Sequence, residues 1–355
     1  MKVILARGVN DAYYFGLKHL KQQGVAQNSR NGSVIVAPTP VTTVYANPME
    51  RVLFNAARDA NPFFHVMESI WMLAGWDDAR WLDQFVKDFS SRFAEPGGTM
   101  HGAYGYRWRR AFGFDQLNAI VKRLRVNPDD RQAVLQMWDA RDEEIVDQTG
   151  CNDLNGDWKD RPCNTTAYFR VRQLVEPLQP NGLLEPMLDL TVCCRSNDVL
   201  YGAYGANVVH FSVLQEYVAA RLGVGVGTYY QISNNFHVYQ DILNKIESPV
   251  GPETYDDYEV RPRPMVTVPD KFDEDVRTFM EWTKDYEHGD APYGYHNSWF
   301  SNTAEPLFAA AERWRAKERE HALEIIDDTD VFDMAPDWWL AARLWITRRM
   351  NKVKG

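Results

Sequence analysis

The chain contains 355 residues, of which 45% are hydrophobic and 25% are charged. This composition is typical of a folded globular protein, and it excludes intrinsic disorder and a collagen-like fibre. The 49 acidic residues outnumber the 39 basic ones and give a formal net charge of −10. Because an acidic chain repels polyanionic DNA on average, the charge argues against a nucleic-acid partner.

The lengths of the apolar segments and the spacing of the cysteines indicate in which cellular compartment the protein is expected. The longest apolar runs, such as residues 70–74, are far shorter than the roughly 20 residues of a transmembrane helix. The apolar stretch near the N-terminus ends at Arg7, so it is shorter than a signal-peptide core of about 7–15 residues. No CxxC pair or suitably spaced histidine completes a zinc site around Cys151, Cys163, Cys193 and Cys194. We therefore expect a cytoplasmic protein with reduced thiols, no membrane partner and no metal.

Two long helices are predicted. The first begins at Asn61 and Pro62, a cap and a first-turn proline, after which apolar residues recur at helical spacing. Glu68 falls among those apolar positions, where a carboxylate is costly unless it is paired or used. The second helix is predicted over 207–222 and ends at Gly223. Its apolar side should pack on a sheet.

Alternating and β-rich patterns predict at least four strands, at 133–138, 167–172, 188–194 and 228–232. Strands and helices interleave without a regular βαβ rhythm, which favours an α+β fold. Polar residues over 143–160 predict a long loop of the kind that borders active sites. We expect residues 248–269 to form a surface excursion and residues 278–316 to be partly helical and peripheral. No period of roughly 20–50 residues repeats, so one domain over 1–355 is expected.

Cys163 is a candidate nucleophile because it lies where a loop enters a predicted strand. A thiol becomes nucleophilic when its pKa is lowered, and neighbouring guanidinium groups can do this. The alternative for a single cysteine is a small buried hydrophobic residue. Cys193 and Cys194 are adjacent in a strand and point to opposite faces, so core packing explains at least one of them.

Two further groups of residues have side chains suited to ligand binding or catalysis. Arg195 and Ser196 end an apolar strand, with Asp198 close behind. Because the guanidinium fork binds phosphate bidentately, this strand end suits a phosphate, although an ordinary solvated strand end is the alternative. His237 and Tyr239 lie two residues apart, and on an extended chain they share a face. A lone histidine is more often structural than catalytic, so this pair is weak evidence by itself.

In this order, the motifs around Cys163, Arg195, Asn207 and His237 resemble the thymidylate synthase family, which includes the deoxypyrimidine hydroxymethylases. Four upstream segments extend the resemblance: 29–32 resembles the mobile phosphate-binding loop, 64–68 the helix with the family's glutamate, 102–109 the tyrosine loop, and 130–132 the arginine pair that crosses the dimer interface. The resemblance covers about residues 29 to 240, and residues 241–355 are expected to form a peripheral extension.

The resemblance implies a mixed sheet flanked by helices, a sheet-to-sheet homodimer, and 5,10-methylenetetrahydrofolate as co-substrate. It implies that a Cys163 thiolate adds to C6 of a deoxypyrimidine 5′-monophosphate, which activates C5 towards the methylene carbon. Glu68 would organise proton transfers with water and Tyr104 would assist near C5. Asp198, which would face the pterin, and Glu68 would bind the folate. Asn164, next to the nucleophile, completes the implied catalytic group.

The resemblance also implies the groups that bind the nucleotide. The 5′-phosphate would be held by Arg30, Arg195 and Ser196, together with Arg131 donated across the dimer interface. The sugar 3′-hydroxyl would be bound by His237 and Tyr239. Asn207 resembles the amide that reads the base edge.

Several departures from the family pattern bear on the product. Counting back from Tyr104 puts Ser90, with Phe93 nearby, where synthases carry a tryptophan that shields the methylene intermediate. Without that indole, water can trap the intermediate, which gives a hydroxymethyl group and tetrahydrofolate; hydride transfer would give a methyl group and dihydrofolate. Asn164 replaces the usual histidine, Gln132 replaces the second interface arginine, and residues 351–355 lack the apolar tail of synthases.

These departures favour hydroxymethylation at C5. The alternatives are reductive methylation, by a thymidylate synthase or a cytidylate methylase, and a catalytically silent nucleotide-binding paralogue. Phages that replace a DNA base use hydroxymethylases of this family, so a phage origin, with the enzyme in the host cytoplasm, would fit.

The base remains open between uracil and cytosine, so dUMP and dCMP are both candidate substrates. Asp198 and Asn207 lie nine positions apart, one more than we expect in synthases. An ungapped count would put Ala206 at the base-reading position, whereas the helical phase of the following apolar residues supports Asn207. A carboxamide can also be turned to accept from an exocyclic amine.

Overall fold

The computed structural model describes residues 1–29, 31–140, 152–154, 156–173, 185–243, 261–284, 294–328 and 335–354, with 246, 258 and 286. The chain forms two compact units. Unit 1 comprises 1–58, 107–156 and 162–257, and unit 2 comprises 59–106, 157–161 and 258–355. Each unit is assembled from separate stretches of the chain. The single domain over 1–355 and the peripheral role of 241–355 stay predictions.

Helices contribute to both units. Within the described ranges the α-helices are α1 (Val9–Gln23), α2 (Pro62–Leu73), α3 (Phe89–Phe93), α4 (Tyr104–Arg109), α5 (Gln116–Val126), α6 (Asn207–Leu222), α7 (Gln240–Leu243), α8 (Phe272–Trp282), α9 (Glu305–Arg315), α10 (Arg319–Asp327) and α11 (Pro336–Lys354). A 3-10 helix covers Ala79–Gln84, and π-helical turns cover Val199–Ala206 and Phe300–Ala304. None of the helices in these ranges is both long and apolar enough to cross a membrane.

The described strands form two sheets, both in unit 1. They are β1 (Lys2–Ala6), β2 (Val25–Ser29), β3 (Gly32–Val36), β4 (Val41–Tyr45), β5 (Val134–Gln136), β6 (Asn164–Arg172), β7 (Met187–Cys194), β8 (Asn197–Asp198), β9 (Gly225–Ser233) and β10 (Phe236–Tyr239). The first sheet has the order β1-β4-β9-β7-β6-β5, and the second has the order β2-β3-β10-β8. Parallel and antiparallel neighbours occur in both sheets. This mixed architecture confirms the predicted α+β fold class.

The two predicted helices correspond to α2 and α6. Asn61 caps α2, because its Oδ1 accepts from the backbone N–H of Phe64 at 3.2 Å. Gly223 ends α6 with a φ of 71°, a left-handed conformation that favours glycine. Helix α6 packs against β7 and β9, as its apolar side predicts.

The predicted strands correspond to β5, β6, β7 and β9 with shifted ends, and the partly helical region corresponds to α8 and α9. The sequence patterns did not predict α1, β1–β4, β8 or β10. Strand β2 is exposed throughout and β8 has two residues, so neither shows the alternation that marks a strand. The predicted loop at 143–160 and the excursion at 248–269 lie largely outside the described residues.

A fully buried ion pair lies in unit 1, where β5 leads towards the predicted loop. The two terminal guanidinium nitrogens of Arg107, Nη1 and Nη2, donate to the two Asp153 carboxylate oxygens at 2.6 and 2.9 Å. One of these nitrogens also donates to the Met137 carbonyl at 2.6 Å. Asp153 in turn accepts from the backbone N–H of Asp139 at 2.8 Å. This pair therefore ties residues 137–139 to residue 153.

We predict that Arg107→Met lowers the free energy of unfolding by about 3–5 kcal/mol, because it leaves a buried carboxylate without its charge partner. Urea denaturation followed by tryptophan fluorescence measures this loss. The matched control is Arg80→Met, which breaks an exposed bidentate pair with Asp78 and should leave stability nearly unchanged. Equal midpoints for the two variants would contradict a structural role for the buried pair.

Candidate active site

Cys163 lies at the end of the loop that enters β6, as the sequence predicts, and it is half-buried. The antiparallel pairing of β6 and β7 places Asn164 opposite Cys194, with a register shift between Asn164 and Thr166. Such irregularities re-aim side chains and are common beside active sites. Arg195 follows β7, and its backbone N–H donates to the Cys163 carbonyl at 2.8 Å. The fold therefore brings Arg195 beside Cys163.

The described cysteines differ in environment. Burial raises the pKa of the Cys193 thiol, and it raises the pKa of the Cys194 thiol well above its usual value. Both thiols therefore resist conversion to the nucleophilic thiolate. Cys151 lies outside the described residues. Core packing thus explains Cys194, and Cys163 keeps its place as the candidate nucleophile.

Trp138 lies beside Arg195, although no motif in the sequence marks it as a candidate site residue. The guanidinium of Arg195 lies 5.3 Å from the centre of its ring, a distance at which a cation is attracted by an aromatic face. Arg195 also donates through Nε to the Pro162 carbonyl at 3.0 Å. Ser196, the next residue, is half-buried. The side chain of Arg195 is therefore held beside the predicted phosphate site, and the only sequence signal for Trp138 was an aromatic residue at a strand end.

Two polar side chains at the site have buried atoms without hydrogen-bond partners. Asn164 is fully buried, and neither its amide nitrogen nor its amide oxygen has a partner among the described residues. Asp198 accepts through Oδ1 from the N–H groups of Leu200 and Tyr201 at 2.9 and 2.7 Å, whereas its buried Oδ2 has no described partner. Orphaned buried groups are costly and often mark a missing ligand or water.

Burial raises the pKa of Asp198 above its usual value, although hydrogen bonds from Tyr201 and Leu200 and the nearby His237 oppose the shift. The pairing of strands in the second sheet explains why His237 lies near Asp198. Strand β10 pairs with β8, and His237 lies opposite Asp198 in register. Desolvation of the carboxylate therefore outweighs its stabilising partners.

His237 and Tyr239 share one face of β10, as their spacing predicts. Both are half-buried between buried neighbours, and their ring centres lie 5.7 Å apart. The Asn31 amide donates to the Tyr239 hydroxyl at 3.5 Å, which brings the tip of the β2–β3 hairpin to this face. Arg30 lies outside the described residues.

Asn207 is the first residue of α6 and is buried. The segment before it, Val199–Ala206, is a π-helical turn. Because a π-turn holds one more residue than an α-helical turn, this geometry accommodates the nine-residue spacing from Asp198. The helix therefore begins at the residue whose amide the resemblance implies in base reading.

Unit 2 carries the remaining implied catalytic residues. Glu68 is buried on α2, and Tyr104 begins α4 and is half-buried. A Cβ at Gly105 would lie 2.0 Å from the Met72 carbonyl oxygen, so only glycine lets the start of α4 lie against the end of α2. Met72 is one helical turn after Glu68 on α2.

Ser90 also lies in unit 2, on α3. It donates through its hydroxyl to Asp83 Oδ2 at 2.5 Å and through its backbone N–H to Asp83 Oδ1 at 2.8 Å. Both residues line an open cavity of about 530 Å³, together with polar and aromatic side chains such as Asn61 and Trp345. Phe93, at the end of α3, is 38% exposed.

Unit 1 thus assembles Cys163, Asn164, Arg195, Ser196, Asp198, Asn207, His237 and Tyr239 around the ends of β6, β7 and β10. Arg131 is exposed just before β5. Over the described part of the chain, no group of three or more His, Cys, Asp or Glu side chains could hold a metal ion.

Comparison with known proteins decides the family. A family profile described as thymidylate synthase matches residues 11–302. The chain belongs to the thymidylate synthase family. It is 41% identical to a deoxyuridylate hydroxymethyltransferase of Pseudomonas phage M6, over 98% of this chain and 95% of that protein. It is 37% identical to a protein of the same name from Bacillus phage SP01, over 57% of this chain and 50% of that protein. A putative thymidylate synthase of Methanosarcina barkeri is 25% identical over 70% of this chain.

Membership confirms the resemblance seen in the sequence. Enzymes of the thymidylate synthase family act on deoxynucleotide monophosphates, use methylenetetrahydrofolate and are typically dimeric. The buried, unpartnered Oδ2 of Asp198 fits this co-substrate, because a carboxylate oxygen suits an N–H donor of the pterin.

We predict that Asp198→Asn raises the free energy of unfolding near pH 8 and changes it little near pH 2. The raised pKa of Asp198 means that the folded state disfavours the ionised form. This penalty is absent below the unfolded-state pKa and complete above the folded-state pKa, and the amide removes it. Urea midpoints of both proteins at both pH values provide the measurement.

Asp130→Asn is the control of opposite sign. A hydrogen bond from Arg123 lowers the pKa of Asp130, so the ionised carboxylate stabilises the folded state. The asparagine side chain cannot ionise, so the variant loses this stabilisation. This variant should be less stable than the wild type near pH 8 and similar to it near pH 2. Destabilisation of both variants near pH 8 would rule out a desolvation penalty at Asp198.

Proposed function

We propose that the protein transfers the one-carbon unit of 5,10-methylenetetrahydrofolate to C5 of dUMP and leaves it as a hydroxymethyl group. The supporting observation is the 41% identity, over nearly the whole chain, to a phage protein named deoxyuridylate hydroxymethyltransferase. The serine at position 90 agrees with this product, because the polar side chains of Ser90 and Asp83 line an open cavity and can bind water, whereas a tryptophan indole at position 90 would exclude it.

Cys163 is the nucleophile in this proposal. Its sulfur forms a bond with C6 of the uracil ring, which makes C5 nucleophilic, and the sulfur leaves when the C5–C6 double bond is restored. The bound folate supplies the one-carbon unit, and Asp198 Oδ2 binds its pterin. Glu68 moves protons with water, and Tyr104 assists at C5. Asn164, whose buried amide has no described partner, binds the substrate or an ordered water.

The nucleotide is held by charge and by hydrogen bonds. Arg195 and Ser196 bind the 5′-phosphate, with Arg30 and with Arg131 of the second subunit. The cation–π contact with Trp138 and the hydrogen bond to the Pro162 carbonyl restrict the guanidinium of Arg195 before substrate arrives. His237 and Tyr239 bind the 3′-hydroxyl, and Asn207 reads the base.

A sheet-to-sheet homodimer is part of the proposal, and the outer face of the six-stranded sheet supports it. One cross-strand row runs across all six strands and comprises Leu5, Val44, Tyr230, Thr191, Tyr168 and Val134. Leu5 is 71% exposed and Tyr168 is 45% exposed in the single chain. Val134 is exposed as well, and Val44, Tyr230 and Thr191 are half-buried. Exposed apolar side chains on a sheet face are typical of a surface that a second subunit covers.

We predict that the purified enzyme, incubated with methylenetetrahydrofolate, adds one hydroxymethyl unit to dUMP and produces no dihydrofolate. Mass spectrometry of dUMP, dCMP and CMP after separate incubations identifies the product, and absorbance follows dihydrofolate. Cys163→Ser should abolish turnover, and Ser90→Trp should shift product towards the methyl group. A methylated product with dihydrofolate would establish reductive methylation instead, and binding without any product would establish a silent paralogue.

Subunit complementation tests the donation of Arg131 across the interface. Arg131→Ala and Cys163→Ser should each be nearly inactive alone. After mixing and subunit exchange, activity should return, because a mixed dimer has one site with an intact Cys163 and an arginine from the other subunit. A mixture of two independently prepared Cys163→Ser samples is the control. No recovery, with subunit exchange shown by native mass spectrometry, would place Arg131 in its own subunit's site or outside any site.

A further inference from the structure

A chain of buried side-chain amides in unit 1 ends at Asn207. Asn207 donates through Nδ2 to Asn197 Oδ1 at 2.9 Å, and Asn197 donates through Nδ2 to Gln231 Oε1 at 3.1 Å and to Ser233 Oγ at 2.9 Å. Exposure of these side chains is 3% for Asn207, 1% for Asn197 and 0% for Gln231. Water therefore does not compete for these hydrogen bonds.

The direction of the chain follows from a backbone carbonyl. Gln231 Nε2 lies 3.3 Å from the Ala203 carbonyl oxygen, which can only accept. The nitrogen of Gln231 must therefore face Ala203, so its oxygen faces Asn197. Asn197 must then present its nitrogen to Gln231 and its oxygen to Asn207. Each amide orientation depends on the one before it, and the nitrogen of Asn207 is turned towards Asn197.

The backbone around Asn207 is constrained by the same amide. A Cβ added to Gly202 would lie 2.6 Å from Asn197 Oδ1, so the π-helical turn lies directly on Asn197. The backbone N–H of Asn207 donates to the Gly202 carbonyl. Asn197 thus contacts the turn before α6 as well as the first side chain of α6.

A fixed carboxamide distinguishes two bases that a mobile one would accept. Uracil presents an N3–H donor beside the O4 acceptor, whereas cytosine presents an N3 acceptor beside the N4 amine donor. A carboxamide offers one acceptor and one donor, and rotation by about 180° exchanges them. Rotation of Asn207 would bring its oxygen against Asn197 Oδ1, leaving two buried acceptors face to face without a proton.

We propose that Asn197 is a positioning residue that fixes the carboxamide of Asn207 and so makes the enzyme select uracil over cytosine. This inference rests on the proposed function, in which Asn207 reads the base. It adds the determinant of specificity, which lies in the buried amide chain anchored at Ala203.

The main test is Asn197→Leu, which keeps a similar volume but cannot accept from Asn207. The kcat/KM ratio of dUMP to dCMP, and the ratio of their dissociation constants measured by calorimetry, should both fall by about tenfold to 100-fold. Asn197→Asp retains an acceptor towards Asn207 and should keep most of the discrimination, although it loses the donor to Gln231 Oε1 and should therefore be less stable. Gln231→Met removes the anchor at Ala203 and should lower the same ratios by a smaller factor.

Gln215→Leu is the matched control. Gln215 is a fully buried amide on the same helix, and it donates to the Leu188 carbonyl at 2.7 Å. Its loss should lower the melting temperature and leave the dUMP to dCMP ratios unchanged. A merely structural role for Asn197 would give the same pattern as this control.

The outcomes separate the inference from the proposed function. Equal losses for dUMP and dCMP in folded Asn197→Leu would overturn the inference, and so would a wild-type protein that binds both nucleotides equally or binds neither. If the wild type prefers dUMP in binding yet yields no product, the proposed function fails, whereas the binding ratios still decide whether Asn197 sets the preference.

Discussion

The pairing of β6 with β7 is the constraint on which the site depends. It places the loop that carries Cys163 beside the end of β7, where Arg195 begins the next segment. Arg195 then bonds to the chain through its backbone N–H, at Cys163, and through its side chain, at Pro162. Because β8 follows Arg195 after one residue and pairs with β10, the same junction brings Asp198 opposite His237. A slip in the first pairing would displace every one of these groups.

Buried polar groups at this junction are of two kinds. The amides of Gln231, Asn197 and Asn207 satisfy one another, and such a network favours one arrangement of the core. Asn164 and Asp198 Oδ2 have no described partners, so the free protein bears a desolvation cost that ligand binding can relieve. The hydrogen-bonded amides therefore fix the arrangement of the side chains around the site, whereas the buried polar atoms without described partners mark positions where ligand atoms are expected. The raised pKa of Asp198 has the same origin.

Unit 2 is held together largely by contacts between aromatic rings. Its C-terminal helices pack through aromatic rings: the ring centre of Phe279 lies 5.8 Å from that of Phe300 and 6.1 Å from that of Phe308. Trp345 on α11 packs edge-on against Trp314 on α9. Aromatic contacts also hold α3, which carries Ser90: the ring centre of Phe89 lies 5.5 Å from that of Phe64 on α2. Ser90, one of the residues that distinguish this chain from a synthase, thus lies on an element held by aromatic contacts, whereas Gln132 and Asn164 lie in unit 1.

The sequence by itself determined the features that depend on near neighbours: the bounds of α2 and α6 follow from Asn61, Pro62 and Gly223, and the order of the motifs identified the family. Only the tertiary structure decided which distant residues meet. Trp138 lies under Arg195, and Asn197 binds an amide of β9, because sheet pairing joins positions that no local periodicity relates. The spacing from Asp198 to Asn207 showed one added residue, but only the structure showed that a π-helical turn accommodates it. For this reason the sequence left the base undecided, and the orientation of a buried carboxamide, set by contacts across the fold, provides the means to choose it.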